Sequence, residues 1–189
     1  GKRANESLGI IRALMRGDKV TMDGEFFTFE KACIRPRIDP PIPIIVGGRS
    51  DAALRRAGRY GDGWVGAWCS VDRYAKALAI IDETAAASGR EAVPWQHGYQ
   101  PWVGVGDTRD EARSRVQKAM EAFYKVPFAQ FEKYTPIGTP DEVASILGSY
   151  VDAGCSLMNM KVVAGSDPES IAAGGEIASK LRKRHGRES

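Results

Sequence analysis

The sequence predicts an α/β fold with parallel strands, and three observations carry that expectation. From residue 35 onward, short apolar runs alternate with helical patterns. One run, Ile44-Ile45-Val46, is apolar at every position, as a strand buried on both faces requires. The helix starts are written in the expected order, with Thr139 as cap, Pro140 in the first turn and Asp141-Glu142 behind it. Alternation of this kind builds βαβ units.

In chain order, Leu8, Ile11, Leu14 and Met15 fall at helical spacing until Gly17, which predicts an amphipathic helix over 4–16. Two β-prone runs, Val20-Thr21-Met22 and Glu25-Phe26-Phe27-Thr28-Phe29, flank Asp23-Gly24, the pair favoured in a two-residue hairpin turn because both positions need positive φ. A hairpin excursion at 19–30 is therefore expected. Prolines at 36, 40, 41 and 43 stiffen the approach to Ile44-Ile45-Val46, which ends at Gly47-Gly48. Ser50 or Asp51 then caps a helix running to Tyr60-Gly61. Gly63–Ala67 reads as the next strand and Asp72–Ala87 as its helix, with Tyr74, Leu78, Ile81 and Ala85 on one face. A third strand lies within His97–Gly106, interrupted at Pro101, followed by a helix over Asp110–Phe123. Another helix runs from Thr139 to Tyr150 or Asp152 and stops before Gly154; Leu157–Val163 is the fourth strand, and Asp167-Pro168-Glu169 opens the last helix. Four parallel strands make either a small open sheet or half of an eight-stranded barrel. A whole barrel needs about 250 residues and rarely fewer than 200, more than the 189 present.

Charge and cysteines narrow the function classes. The net charge of +3 is carried by the last fourteen residues, where Lys180, Arg182, Lys183, Arg184 and Arg187 face only Glu176 and Glu188. A basic last helical turn complements the helix dipole, so no nucleic-acid partner is expected. Cys33, Cys69 and Cys155 are odd in number and dispersed, and the only histidines are His97 and His185. That inventory builds neither a disulfide framework nor a metal site, and it predicts buried structural thiols in a reducing, cytoplasmic compartment. No run reaches the roughly 18 apolar residues of a membrane span. The chain is expected to be soluble, without a membrane partner. It opens on Gly1 rather than Met, which leaves two readings, a fragment of a longer protein or a natural short one.

The segment that carries chemistry is Val46-Gly47-Gly48-Arg49-Ser50-Asp51, between a buried strand and a helix start. Glycines let backbone N–H groups approach an anion, the helix start adds unpaired donors and a positive dipole end, Ser50 adds a hydroxyl and Arg49 a charge. The segment has the outline of a phosphate cradle. Gly-Gly also serves simply to turn a chain from strand to helix, and both readings stand on spacing alone.

Pro43 through Ala57, continuing through Arg59-Tyr60-Gly61-Asp62-Gly63-Trp64, resembles the bacterial luciferase-like monooxygenase family, which includes FMN-dependent monooxygenases and coenzyme F420-dependent oxidoreductases. Gly24-Glu25-Phe26-Phe27 with Pro36 downstream, Ile137 to Val143, and Tyr150 to Cys155 resemble it in the same order. The resemblance implies a (β/α)8 TIM barrel of which 1–189 is the C-terminal half, with about four βα units. It implies an oxidoreductase or monooxygenase acting on a small-molecule substrate, with FMN or coenzyme F420 as cofactor and its phosphate on Gly47, Gly48, Arg49 and Ser50. The family's proton-handling side chains come mostly from the first four strands, so no catalytic residue is assigned and 1–189 alone is expected to be inactive. A homo-oligomer is compatible with this picture. The alternative is a non-catalytic phosphate-binding or assembly module built on a half-barrel, or a complete small open-sheet domain.

Trp68, near the end of the second strand, either lines a ligand pocket or simply packs. Asn159 and Lys161 share a face of the last strand with Leu157, which marks either a ligand-facing interior or an exposed strand. Met158 and Met160 read as core, and His97 as a satisfied histidine at a strand start.

Overall fold

The computed structural model describes residues 1–186; Arg187 and Glu188 of the basic tail lie outside the described residues. The chain forms two compact units, residues 1–65 with 77–97, and residues 66–76 with the chain from 98 onward.

The first unit opens with α1 (Lys2–Met15) and an antiparallel hairpin of β1 (Val20–Asp23) and β2 (Thr28–Ala32). The hairpin is not closed by a two-residue Asp-Gly turn. Its loop is Gly24–Phe27, closed by the Gly24 N–H donating to the Phe27 carbonyl at 3.0 Å. The cause is Glu6 of α1, whose carboxylate accepts from the N–H groups of Phe26 (3.2 Å) and Phe27 (2.9 Å) and so widens the loop. A Cβ at Gly24 would collide with that carboxylate.

β3 (Ile45–Gly47) leads into α2 (Asp51–Tyr60) and then β4 (Gly63–Gly66), which pairs with β3 in parallel, Val46 opposite Trp64. α2 buries Ala53, Leu54 and Ala57, an apolar stripe at helical spacing. α3 (Val71–Ala86) begins in the second unit and continues into the first, where Ala77, Ile81 and Ala85 are buried. Gly58 lets α2 press on α3, since a Cβ there would stand 2.7 Å from the Ile81 carbonyl oxygen.

In the second unit, the expected third strand is two pieces, β5 (Gly98–Tyr99) and β6 (Trp102–Val105), separated at Gln100-Pro101 because proline brings no N–H to the ladder. α4 (Arg109–Tyr124) follows, then two short 3-10 turns at Phe128–Gln130 and Glu132–Tyr134, and a strand absent from the sequence reading, β7 (Ile137–Gly138). α5 (Pro140–Asp152) leads to the expected fourth strand, also in two pieces, β8 (Leu157–Met158) and β9 (Lys161–Val163), and then α6 (Asp167–Arg184). β5 pairs in parallel with β8, and β6 lies between β7 and β9, both parallel to it. Behind β6, Ala112, Val116, Met120, Phe128 and Ile137 form a core. A second one is built on Tyr74, Tyr99 and Tyr150, with the last two stacked at 3.9 Å. Burial pushes the Tyr74 and Tyr99 hydroxyls far up, so both stay protonated.

The starts of α4, α5 and α6 share one construction. Thr108, Thr139 and Ser166 cap, and a glutamate three residues on, Glu111, Glu142 and Glu169, folds back over Gly106, Gly138 and Gly165. At α5 the box is complete: Glu142 accepts from the Thr139 N–H at 2.8 Å, and these hydrogen bonds hold its carboxyl below the usual range.

None of the three cysteines is in a disulfide. Cys69 and Cys155 are buried as expected, but Cys33 is exposed, because it lies just beyond the end of β2.

Candidate functional site

Two places collect the candidate residues, one in each unit. In the first unit, β3 ends on Gly47, and Gly48 takes φ +119°, a conformation that L side chains rarely adopt. A Cβ at Gly48 would also stand 2.7 Å from the Ala53 Cβ, whereas one at Gly47 would meet only Val65 at 3.8 Å. Gly47, Gly48, Arg49 and Ser50 are all exposed. Ser50 is the cap of α2: its hydroxyl oxygen accepts from the Ala53 N–H at 3.3 Å, which leaves the hydroxyl hydrogen to donate outward. First-turn N–H groups of a helix have no intrahelical acceptor and carry its positive dipole end. α2 has Ala53 where α4, α5 and α6 have their glutamates, so no side-chain carboxylate folds over this start from that position.

A residue to which the sequence assigned no role at this loop holds it. The buried Trp64 donates its indole Nε1–H to the Gly48 carbonyl at 2.7 Å, turning that carbonyl inward. The only signal was Gly63-Trp64 at the end of the segment that resembles the family, which spacing alone does not translate into a contact. Trp64 is fixed in turn by His97, whose Nδ1 accepts from the Trp64 backbone N–H at 3.3 Å and whose ring stacks on Trp95. His97 is thus a structural acceptor. Burial pulls its pKa down, with Asp82 opposing only in part.

This makes stability fall with acid. Below about pH 6.5 the unfolded chain binds a proton that the folded His97 refuses, so its contribution is complete above that pH and is lost as pH drops toward the folded value. Urea midpoints should therefore fall between about pH 7 and about pH 5.5, and His97→Asn, which keeps an acceptor without a titration, should flatten that part of the slope.

Asp62, in the same Gly-Asp-Gly-Trp run, is a hub. Its Oδ1 accepts from Arg12 Nη2 at 2.8 Å and Arg90 Nη2 at 3.4 Å, and its Oδ2 from the Ile44 N–H at 2.8 Å. Its own N–H donates to the Ile44 carbonyl at 2.7 Å. This node sets the line on which β3 enters. Gly63 beside it has no room for a side chain, which would collide with the Gln96 carbonyl.

In the second unit, Trp68 adopts φ +48° and packs against Tyr124 (5.2 Å between ring centroids) and Phe131 (4.8 Å). Lys161 points to the same side of β9 as this cluster, its ammonium 5.0 Å from the Trp102 ring and 4.6 Å from Phe123. Asn159 is exposed. Met158 and Met160 are half-buried rather than core, and line a cavity of about 330 Å³ with Leu181 and His185 of the α6 end.

A family model described as luciferase-like monooxygenase matches residues 1–136. The chain belongs to the luciferase-like monooxygenase family. The match leaves out Ile137 to Cys155, where the sequence also resembles the family. Among curated relatives, an uncharacterized protein of Mycobacterium tuberculosis is 39% identical over 90 residues, 48% of this chain and 31% of its own length. The F420-dependent glucose-6-phosphate dehydrogenase of Mycobacterium tuberculosis is 26% identical over 180 residues, covering 80% of this chain and 52% of the enzyme. Among solved structures, an F420-dependent secondary alcohol dehydrogenase in complex with an F420-acetone adduct superposes with a TM-score of 0.81 at 18% identity, over 94% of this chain and 60% of that one. A riboflavin lyase with modified FMN and riboflavin does so at 0.70 and 15%, over 98% and 57%. The fold is that of luciferase-like (β/α)8 barrel proteins, in partial form. The chain spans a third to a half of the length of these curated relatives. Among the described residues no helix is long and apolar enough to cross a membrane.

Proposed function

We propose that residues 1–189 are the C-terminal half of a luciferase-like oxidoreductase or monooxygenase that uses coenzyme F420 or FMN, and that Gly47, Gly48, Arg49 and Ser50 hold the cofactor phosphate. The carrying observation is Gly48, whose left-handed backbone and lack of space for a Cβ keep the loop bare in front of the start of α2. The N–H groups of that turn ahead of Ala53, whose own N–H is held by Ser50, and the Ser50 hydroxyl would donate to phosphate oxygens, with Arg49 as exposed counter-charge. When bound, the cofactor supplies the hydride or oxygen chemistry. The protein's part is to bind and orient it. The general acids or bases of the whole enzyme belong to the four strands that this chain lacks, so turnover is expected only from a protein that includes them. The substrate is a small molecule, and three cysteines outside any disulfide suit a cytoplasmic setting.

Equilibrium binding of F420 and of FMN to the protein and its Ser50 variants tests the site. Ser50→Ala removes the cap, costing about 1 kcal/mol, and should weaken binding about tenfold. Ser50→Asp keeps the cap but sets a carboxylate against the phosphate, so it should fold as stably as the parent and still lose the cofactor. Undiminished affinity in Ser50→Asp would overturn the assignment.

A further inference from the structure

The geometry points to Lys161 as the anchor for the acidic group of an anionic small-molecule substrate, with Phe123 as the apolar surface beside it. This rests on reading the chain as part of an oxidoreductase, but its evidence is separate. Trp102 and Lys161 stand opposite each other as the first residues of β6 and β9, just past the carboxyl ends of the parallel pair β5 and β8. That is the end of the strands at which (β/α)8 proteins assemble their sites. The Lys161 ammonium is half-buried between Trp102 and Phe123, and among the described residues no carboxylate pairs with it. The two ring faces offset the charge only in part. A half-buried cation with no counter-ion among the described residues is favourable to a ligand that brings one.

The neighbouring surface has the matching character. Phe123 is 61% exposed although it is a large apolar side chain. Trp102 is locked by donating Nε1–H to the Tyr124 hydroxyl at 3.0 Å, and Tyr124 packs in turn on Trp68 and Phe131. Trp68 holds a positive φ, uncommon for a bulky residue and a form of local strain that collects at ligand sites. The cluster is therefore rigid on its inner side and open at Phe123 and Lys161. It suits a carboxylate or a phosphate monoester attached to an apolar or aromatic body.

Calorimetric titration with naphthoate, naphthyl phosphate and the neutral naphthylmethanol separates these terms, since it needs neither cofactor nor turnover. Both anions should bind more tightly than the alcohol, and whichever binds better names the acid. Lys161→Met should weaken the anions at least about tenfold and leave the alcohol within about twofold, while Lys161→Arg should keep the anions within about threefold. Phe123→Ala should weaken all three alike. If Lys161→Met loses its thermal transition, salt replaces it: raising ionic strength should weaken the anions and not the alcohol. Anions that bind no better than the alcohol, or that bind Lys161→Met as tightly as the parent, overturn the proposal. Failure of the Ser50 variants to lose cofactor would count against the phosphate loop and leave these titrations unaffected.

Discussion

Asp62→Ala should lower the unfolding free energy by about 3 kcal/mol, near the lower end for breaking a buried ion pair, because the carboxylate keeps some contact with water. The alanine leaves the Ile44 N–H without its acceptor and strips Arg12 and Arg90 of their shared partner. Arg90 retains the Gly58 and Gly61 carbonyls at 2.8 and 2.7 Å, which limits its loss, while among the described residues Arg12 keeps only the Tyr60 carbonyl. Asp62→Asn can still accept from Ile44 and should cost about half as much. Urea denaturation checks both: the midpoint should move with an unchanged slope. A loss under about 1 kcal/mol in Asp62→Ala would mean that the node does not govern how β3 enters.

Gly48→Ala should abolish cofactor binding, at a stability cost of about 1–3 kcal/mol. Its Cβ meets Ala53 at 2.7 Å in a backbone conformation that alanine rarely adopts, so the loop must move, breaking the tie from Trp64 or shifting the first turn of α2. Gly47→Ala is the informative companion. Its Cβ has ordinary contact with Val65 at 3.8 Å, so the fold should be unaffected, and any lost affinity then reports an anion that needed the bare backbone. Normal cofactor affinity in Gly48→Ala would remove the loop from the site.

Much of this was legible from sequence because it is local. Ser50, Thr139 and the alternation around Ile44–Val46 announce themselves within a few residues, and the caps of α2 and α5 stand where those residues predict. The misses are long-range. The hairpin turn was misread because Glu6, about twenty residues upstream, claims the loop N–H groups. β7 is only two residues long and exists because β6 offers an edge to it. The link from Trp64 to Gly48 and the convergence on Asp62 join residues 16 to 50 positions apart, which no periodicity encodes. Cys33 escaped burial because the expectation came from residue type and not from its place at a strand end.

The glutamates folded over the starts of α4, α5 and α6 also bear on where a free anion goes. Each helix begins as a potential anion trap, and three of them carry a tethered carboxylate that competes with any incoming phosphate at the effective concentration of a neighbouring side chain. The chain therefore keeps its own decoys plugged. A free phosphate should bind these three starts more weakly than it would once their glutamates are replaced by glutamine.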